Sequence, residues 1–273
     1  MDGNTIRGGS KLAIEFVTET VILQVSGRVA TVELNRPESL NSLNVDMLKG
    51  LAATLKEIST LDEIDLVVLK GNGRAFSSGG DIKTMLAADN TRFPEIMEMI
   101  SNIVHSLYTL PKLTIAAVSG AAAGLGLSIA LATDYIIADK SSKLAMNFIG
   151  VGLIPDGGGH YFLEKRLGED KAKHVIWEGK PLSAEEAYSL GLVNEIVEGE
   201  LSSAIDAKLQ RWLNSPIKAM IETKKIFADK NSPQLAKVLQ AEKESQYKMR
   251  QTEDHQEGVQ AFIEKRRPNF KGK

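Results

Sequence analysis

The sequence predicts a mixed α/β core followed by an all-helical C-terminal region. Three observations carry this. Short apolar runs alternate with helix-period segments over the first two thirds of the chain, and glycine clusters stand where strands hand over to helices. From about Ala184 onward nearly every segment has helical periodicity, which is a composition shift of the kind an α/β core with a helical tail produces. The chain has 273 residues, enough for one large domain or two small ones with a real core. Hydrophobic residues make up 43% and charged residues 25%, which excludes a disordered chain.

The elements follow in order. Residues 1–18 form a weakly patterned leader. The stretch TVILQVSGRVATVELN (20–35) alternates apolar and polar residues around Ser26-Gly27, predicting two strands joined by a turn, and Asn35-Arg36-Pro37 stops the second. Leu48, Leu51, Leu55 and Ile58 recur at three- and four-residue steps and place a helix there. LVVLKG (66–71) is a short buried strand followed by the loop GNGRAFSSGGD (71–81). A helix over 93–110, the strand TIAAVSG (114–120), a small-residue helix over 124–133 and the strand DYIIAD (134–139) come next. LAMN (144–147), the turn IPDGGG (154–159) and a helix through HYFLEKRLG (160–168) complete the core, organised as a repeated strand, strand, helix theme. The tail carries one short strand, 193–197, and helices near 201–213, 216–227, 234–252 and 257–267. The expected division is a leader at 1–18, a core at 19–199 and a helical region at 200–273.

Several function classes drop out early. With 33 Lys+Arg against 35 Asp+Glu the net charge is −2, so no concentrated basic face invites nucleic acid. Zero cysteines exclude disulfides, thiolate metal sites and a Cys nucleophile. His105, His160, His174 and His255 are scattered without a ligand spacing, so no metal site is expected. The uncharged run 113–133 is near membrane-spanning length, but its Ala, Gly, Ser and Thr content suits a buried strand, turn and helix. The N-terminus lacks a signal-peptide pattern, and the expectation is a cytoplasmic protein with no membrane partner.

Two glycine-rich turns after buried strands, 75–81 and 118–128, could converge at one sheet edge and each aim a backbone N–H at one oxygen. The second opens a helix, whose first amides favour negative charge. The spacing alone equally allows glycines that only turn the chain. Gly124-Leu125-Gly126 is not a dinucleotide fingerprint, because Ile129 stands at the third glycine position. Asp156, in GLIPDGGGH, has two readings: a carboxyl among apolar neighbours with a raised pKa that moves protons, or an N-cap for the helix beginning near Gly158.

The motifs NRPESLNSL (35–43), AFSSGGDIKTM (75–85), AAVSGAAAGLGLSIALATDYIIA (116–138), GLIPDGGG (152–159) and PLSAEEAYSLGLVNEIV (181–197), taken together and in this order, resemble the enoyl-CoA hydratase/isomerase superfamily, the crotonases. The resemblance implies a spiral of ββα units with a helical C-terminal region that forms trimers, often paired into hexamers. It implies an acyl-CoA thioester substrate, coenzyme A being part of that substrate and no separate cofactor being required. The thioester oxygen would be held by the N–H groups of Ser78 and Leu125, each donor supplying roughly 3 kcal/mol in the transition state. Ser77, Gly79, Gly80, Asp81 and Ile82 would bracket the CoA, with Phe262 and Lys265 in AFIEKRRPNF (261–270) reaching its phosphates.

The two glutamates that hydratases of this family use fall on Ser128 and Phe148, neither of them ionisable near neutral pH. What remains is Asp156, at a position where a carboxylate resembles the base of dienoyl-CoA isomerases and of the isomerase acting on ring-epoxidised phenylacetyl-CoA. The reading is double-bond isomerisation by Asp156. Hydration through a Ser128-bound water and a non-catalytic acyl-CoA-binding subunit stand as alternatives, and a chlorobenzoyl-CoA-dehalogenase-like use of Asp156 as nucleophile is a minor one.

Overall fold

The computed structural model describes residues 15–81 and 92–273. A seven-stranded sheet runs in the order β1-β2-β3-β4-β5-β7-β10. Its first three strands, β1 (Glu15–Val17), β2 (Val21–Ser26) and β3 (Val29–Leu34), are antiparallel neighbours. From β3 through β4 (Leu66–Gly71), β5 (Leu113–Val118), β7 (Tyr135–Asp139) and β10 (Glu195–Val197) every pairing is parallel. A second, three-stranded sheet joins β6 (Ala121–Ala123), β8 (Lys143–Ala145) and β9 (Leu182–Ser183).

The sequence explains which strands lie where. Along β2 and β3 buried and less buried residues alternate, as expected for strands near an edge, whereas all six residues of β5 are buried. A continuous apolar run is what a central parallel strand needs, because both of its faces are covered. Helices α1 (Val45–Thr60) and α2 (Arg92–Thr109) supply part of the cover. Helix α1 begins where the Asn44 side chain accepts the Met47 N–H at 2.9 Å, and it buries Met47, Leu48, Leu51, Leu55 and Ile58 along one face.

The expected repeat is present as a spiral. A strand of the large sheet is followed by a short segment beside the small sheet and then by a helix. β5, β6 and α3 (Leu125–Leu131) form one such turn, and β7 and β8, followed by α4 (Gly159–Leu167), form the next. After β4 the equivalent segment is only partly a strand. It makes isolated parallel bridges, Ser77 to Ala122 and Gly80 to Leu43, that stack successive turns. Helices α5 (Glu169–Glu178) and α6 (Ala184–Leu190) precede the C-terminal region of α7 (Leu201–Leu213), α8 (Ile217–Met249) and α9 (Glu253–Ile263).

Three expectations are corrected. Strand β1 pairs with β2, so regular structure begins inside the span read as a loose leader. The helices expected at 216–227 and 234–252 are one helix, α8, which passes through Pro233. Ala228 and Leu235 on either side of Pro233 are buried, and His105 Nε2 lies 2.8 Å from Ser232 Oγ, so packing against α2 outweighs the hydrogen bond proline removes. Helix α9 starts at Glu253 rather than Glu257, because the Thr252 side chain caps the His255 N–H at 3.1 Å.

Gly120 closes the β5–β6 corner at φ +58°, and a Cβ there would stand 2.0 Å from the Arg74 carbonyl oxygen. Gly120→Ala is therefore expected to cost about 2 kcal/mol or more, read as a lowered unfolding midpoint. An unchanged midpoint would show that the corner relaxes freely.

Candidate active site

The two glycine-rich turns lie side by side. Ser77 donates its N–H to Ala121 O at 2.9 Å, and Ala123 donates its N–H to Ser77 O at 2.9 Å. Asn41 braces the first turn from behind. It is fully buried, its side-chain amide nitrogen donates to Asn72 O and Ala75 O at 2.9 and 2.8 Å, and its main-chain carbonyl accepts Ser77 Oγ at 2.8 Å. Gly79 sits against the second turn, where a Cβ would stand 2.7 Å from Ala123 O. The approach of the two backbones requires a residue without a side chain.

Direction matters as much as place. The Ser78 N–H, expected to face a ligand, donates to Leu40 O at 2.9 Å, and this corrects its assignment as a donor. Gly80 occupies the opposite orientation. In its bridge, Leu43 N–H bonds Gly79 O and Asp81 N–H bonds Leu43 O, so Gly80's own N–H points away from Leu43. Leu125 is the first residue of α3, where no carbonyl lies a turn earlier to accept its N–H. Ser78, Gly79, Gly80, Asp81 and Leu125 line one cavity of about 300 Å³.

The rest of that cavity is mostly apolar. Leu43, Phe93, Met97, Ile100, Phe148 and Leu153 form walls, and Asp156 and Gln246 bring polar atoms among them. Phe148, in the 3-10 turn Asn147–Val151, contributes its ring at one of the two expected glutamate positions. Ser128, at the other, is fully buried and donates its hydroxyl to the Asp156 main-chain oxygen at 2.7 Å. It is not among the described residues that line the cavity.

Asp156 is 8% exposed, and its side chain caps no helix. The orphan N–H groups at the start of α4 are taken by Glu242 of α8, whose carboxylate accepts the Gly158 N–H at 2.7 Å and the His160 N–H at 3.1 Å. His160 Nδ1 also lies 2.8 Å from Glu242. With the capping role filled from a remote helix, the Asp156 carboxyl is available to the cavity. Oδ2 accepts Gln246 Nε2 at 3.2 Å, and Oδ1 is buried without a partner. Burial, reinforced by the negative charge of Glu242 and partly offset by the Gln246 hydrogen bond, pushes the Asp156 carboxyl up to about 8.

The expected CoA contacts divide. Gly79, Gly80 and Asp81 line the cavity, as does Phe262 of α9. Asp81 accepts hydrogen bonds from Arg36 Nη1 at 3.0 Å and Ser42 Oγ at 3.1 Å. Ser77 is fully buried and spends its hydroxyl on Asn41 O, so it supports the turn from within. Lys265 is exposed and lies outside the cavity wall. Ile82 falls outside the described residues.

Sequence reasoning missed Glu242, Gln246 and the wall residue Glu178. The first two carried a signal: buried residues of α8 recur as Leu235, Leu239, Glu242 and Gln246, an apolar stripe that turns polar while staying on one face. A polar residue on a core stripe needs a buried partner.

A spiral of strand–strand–helix turns, with two apposed glycine turns at the mouth of an apolar cavity and one buried acid inside it, defines a class of fold and site. Comparison with known proteins places the chain within that class. The family profile for enoyl-CoA hydratase/isomerase matches residues 24–273, and the chain belongs to this family, as an enzyme of the crotonase superfamily. It is 47% identical over 253 residues to YhaR of Bacillus subtilis, a protein provisionally named enoyl-CoA hydratase/isomerase, covering 92% of this chain and 99% of the relative. It is 35% identical over 260 residues to the 1,2-epoxyphenylacetyl-CoA isomerase of Escherichia coli, covering 93% and 99%. A solved enoyl-CoA hydratase from Mycobacterium avium superposes with a TM-score of 0.85 at 32% identity, covering 93% of this chain and 100% of that one.

The raised Asp156 makes stability depend on pH. The folded state keeps a proton that the unfolded chain releases between pH 4 and about 8, so stability falls as pH rises through that window. The total loss is on the order of 5 kcal/mol. Asp156→Asn removes it, and the variant's unfolding midpoint is expected to gain on wild type progressively from pH 5 to pH 9. Parallel stability curves would contradict the buried, unpartnered carboxyl.

Proposed function

We propose that this protein is an enoyl-CoA isomerase that shifts a double bond along an acyl thioester, with Asp156 as its single acid/base. The observation that carries this reading is Asp156, a buried acid among the residues lining an apolar cavity, whose Oδ1 has no hydrogen-bond partner. The residues at the two positions where family hydratases use glutamate give no help with water. Phe148 is an aromatic wall, and the Ser128 hydroxyl is spent on the Asp156 main chain. Similarity to a named isomerase over nearly the whole chain supports the same direction.

The chemistry follows from that arrangement. The thioester oxygen lies between the N–H groups of Gly80 and Leu125, Gly80 replacing Ser78 as the first donor. Removing a C2 proton from a 3-enoyl thioester places negative charge on that oxygen, where fixed donors are worth roughly 3 kcal/mol each. Asp156 Oδ1 takes the proton from C2 and returns it to C4, leaving the conjugated 2-enoyl thioester. Its raised pKa suits both halves, since an acid titrating near the working pH can accept a proton and release it again. Apolar walls keep out the water that would otherwise add to the product.

Purified protein incubated with 3-hexenoyl-CoA is expected to give 2-hexenoyl-CoA with no change in mass, followed by mass-resolved chromatography. Crotonyl-CoA is expected to gain no water. Because Asp156 must be ionised to act, kcat/KM rises with pH through about 8. Asp156→Asn is expected to lose ~1000-fold or more in kcat while still binding the CoA ester in calorimetry. Unchanged turnover in the variant, or hydration of crotonyl-CoA by wild type, overturns the reading. Binding with no conversion of any acyl-CoA offered would identify a non-catalytic binder.

A further inference from the structure

Three features of the molecule stand apart from the chemistry above: the exposed Ile226 and Phe227 on α8, the shallow groove beside Phe93 and Tyr247, and the contacts that α8 makes with the loop carrying Asp156. Nothing indicates what would cover the first two. The third is specific.

We propose that Gln246 is the positioning residue of this site: from α8 it fixes Asp156 so that Oδ2 is held and Oδ1 alone meets the substrate. The inference rests on the isomerase reading for its catalytic consequence, but not for its geometry. Gln246 is 2% exposed, and its Nε2 donates to both Ile154 O at 2.7 Å and Asp156 Oδ2 at 3.2 Å. A main-chain carbonyl can only accept, so the amide nitrogen must face Ile154, and the amide cannot flip without setting oxygen against oxygen. Its second hydrogen then falls to Asp156. One helical turn earlier, Glu242 holds Gly158, so α8 pins the loop two residues before and two residues after the acid.

A neutral amide donor is suited to this task in a way that a cation is not. An arginine would lock the carboxylate in its ionised form, whereas Oδ2 accepts from Gln246 whether or not Oδ1 carries a proton. The carboxyl therefore keeps one orientation through a cycle in which it gains and loses a proton. The proton resides on Oδ1, the oxygen that Gln246 leaves without a hydrogen bond, at both the removal and the return.

Among the described residues, few other groups surround Asp156 to set its behaviour. Glu242 shares helix α8 with Gln246, and Arg250, just past the end of α8, sits 4.4 Å over the Phe93 ring. Asp81 and Glu178 stand elsewhere on the cavity wall, and His255 of α9 bonds Val151 O at 2.8 Å through Nδ1. From α2 the wall residues are the apolar Phe93, Ile96, Met97 and Ile100, and from α3 Leu125 and Ser128 are not titratable near neutral pH.

The test uses Gln246→Met, which keeps the bulk and loses the donor, and Gln246→Asn, which keeps the donor one methylene short of reach. Each is compared with wild type and Asp156→Asn in two measurements. The first is kcat and KM for 3-hexenoyl-CoA. The second is the pH at which the Asp156 carboxyl infrared band titrates, assigned by subtracting the Asp156→Asn spectrum. The expected result is a ~10–100-fold lower kcat with KM within about threefold, and an Asp156 titration displaced to higher pH, because a donor to the charged form is gone. A titration unmoved in both variants overturns the proposal, whether kcat falls or not, since a merely structural glutamine lowers activity without touching the carboxyl. Full turnover by Asp156→Asn would remove the isomerase reading instead, and the infrared displacement would still decide the role of Gln246.

Discussion

A carboxyl group buried in an apolar cavity with one oxygen unpartnered is an expensive thing to hold, and much of the local structure exists to hold it. Ionising Asp156 costs desolvation energy that no cation among the described residues returns, which is why its pKa rises to about 8. Loops relax when they can, and a free Asp156 would turn to cap the helix that begins three residues on. Three contacts prevent this. Glu242 occupies the N–H groups that Asp156 would otherwise cap, Ser128 anchors the Asp156 carbonyl, and Gln246 holds Oδ2. The cost is thus concentrated in one ionisable group, which the proposed isomerisation would use.

The opposite wall of the cavity is built from backbone. The pair of hydrogen bonds between Ser77 and the β6 strand keeps the two glycine turns in register, and the Gly80 bridge to Leu43 fixes which way the next amide points. Such donors cost little reorganisation at the moment of reaction, because the sheet and helix that carry them are already folded. An acid on one side and amides on the other suffice for moving a proton between two carbons. The reading of the site as an isomerase differs from hydration in what is missing, namely any second ionisable group positioned to deliver water at Ser128 or Phe148.

Much of the fold was legible in the sequence. The apolar runs at 66–69 and 115–118 mark buried strands, and the glycine clusters mark the corners between strands and helices. Asp156 stands out as an acid among apolar residues, and the absence of both hydratase glutamates follows from the resemblance to the family. What the sequence hid was direction and remote support. Ser78 and Gly80 are two residues apart in one turn, and only the pairing of that turn with Leu40 and Leu43 decides whose N–H is spent and whose is left for a ligand. Asp156 could equally have been a cap, and the deciding residue, Glu242, lies on a helix that local periodicity split at Pro233. The polar end of the α8 stripe was the available clue, since Glu242 and Gln246 continue the spacing of Leu235 and Leu239.

The central claim is that one acid carries the same proton from carbon to carbon inside a cavity that water does not flush. The most direct measurement is to convert 3-hexenoyl-CoA carrying deuterium at C2, in ordinary water, and to read the label position in the 2-hexenoyl product by mass spectrometry. A single shielded acid predicts that a substantial fraction of the deuterium reappears at C4 in single-turnover conditions. Complete replacement by solvent hydrogen at C4 from the first turnover would contradict the account.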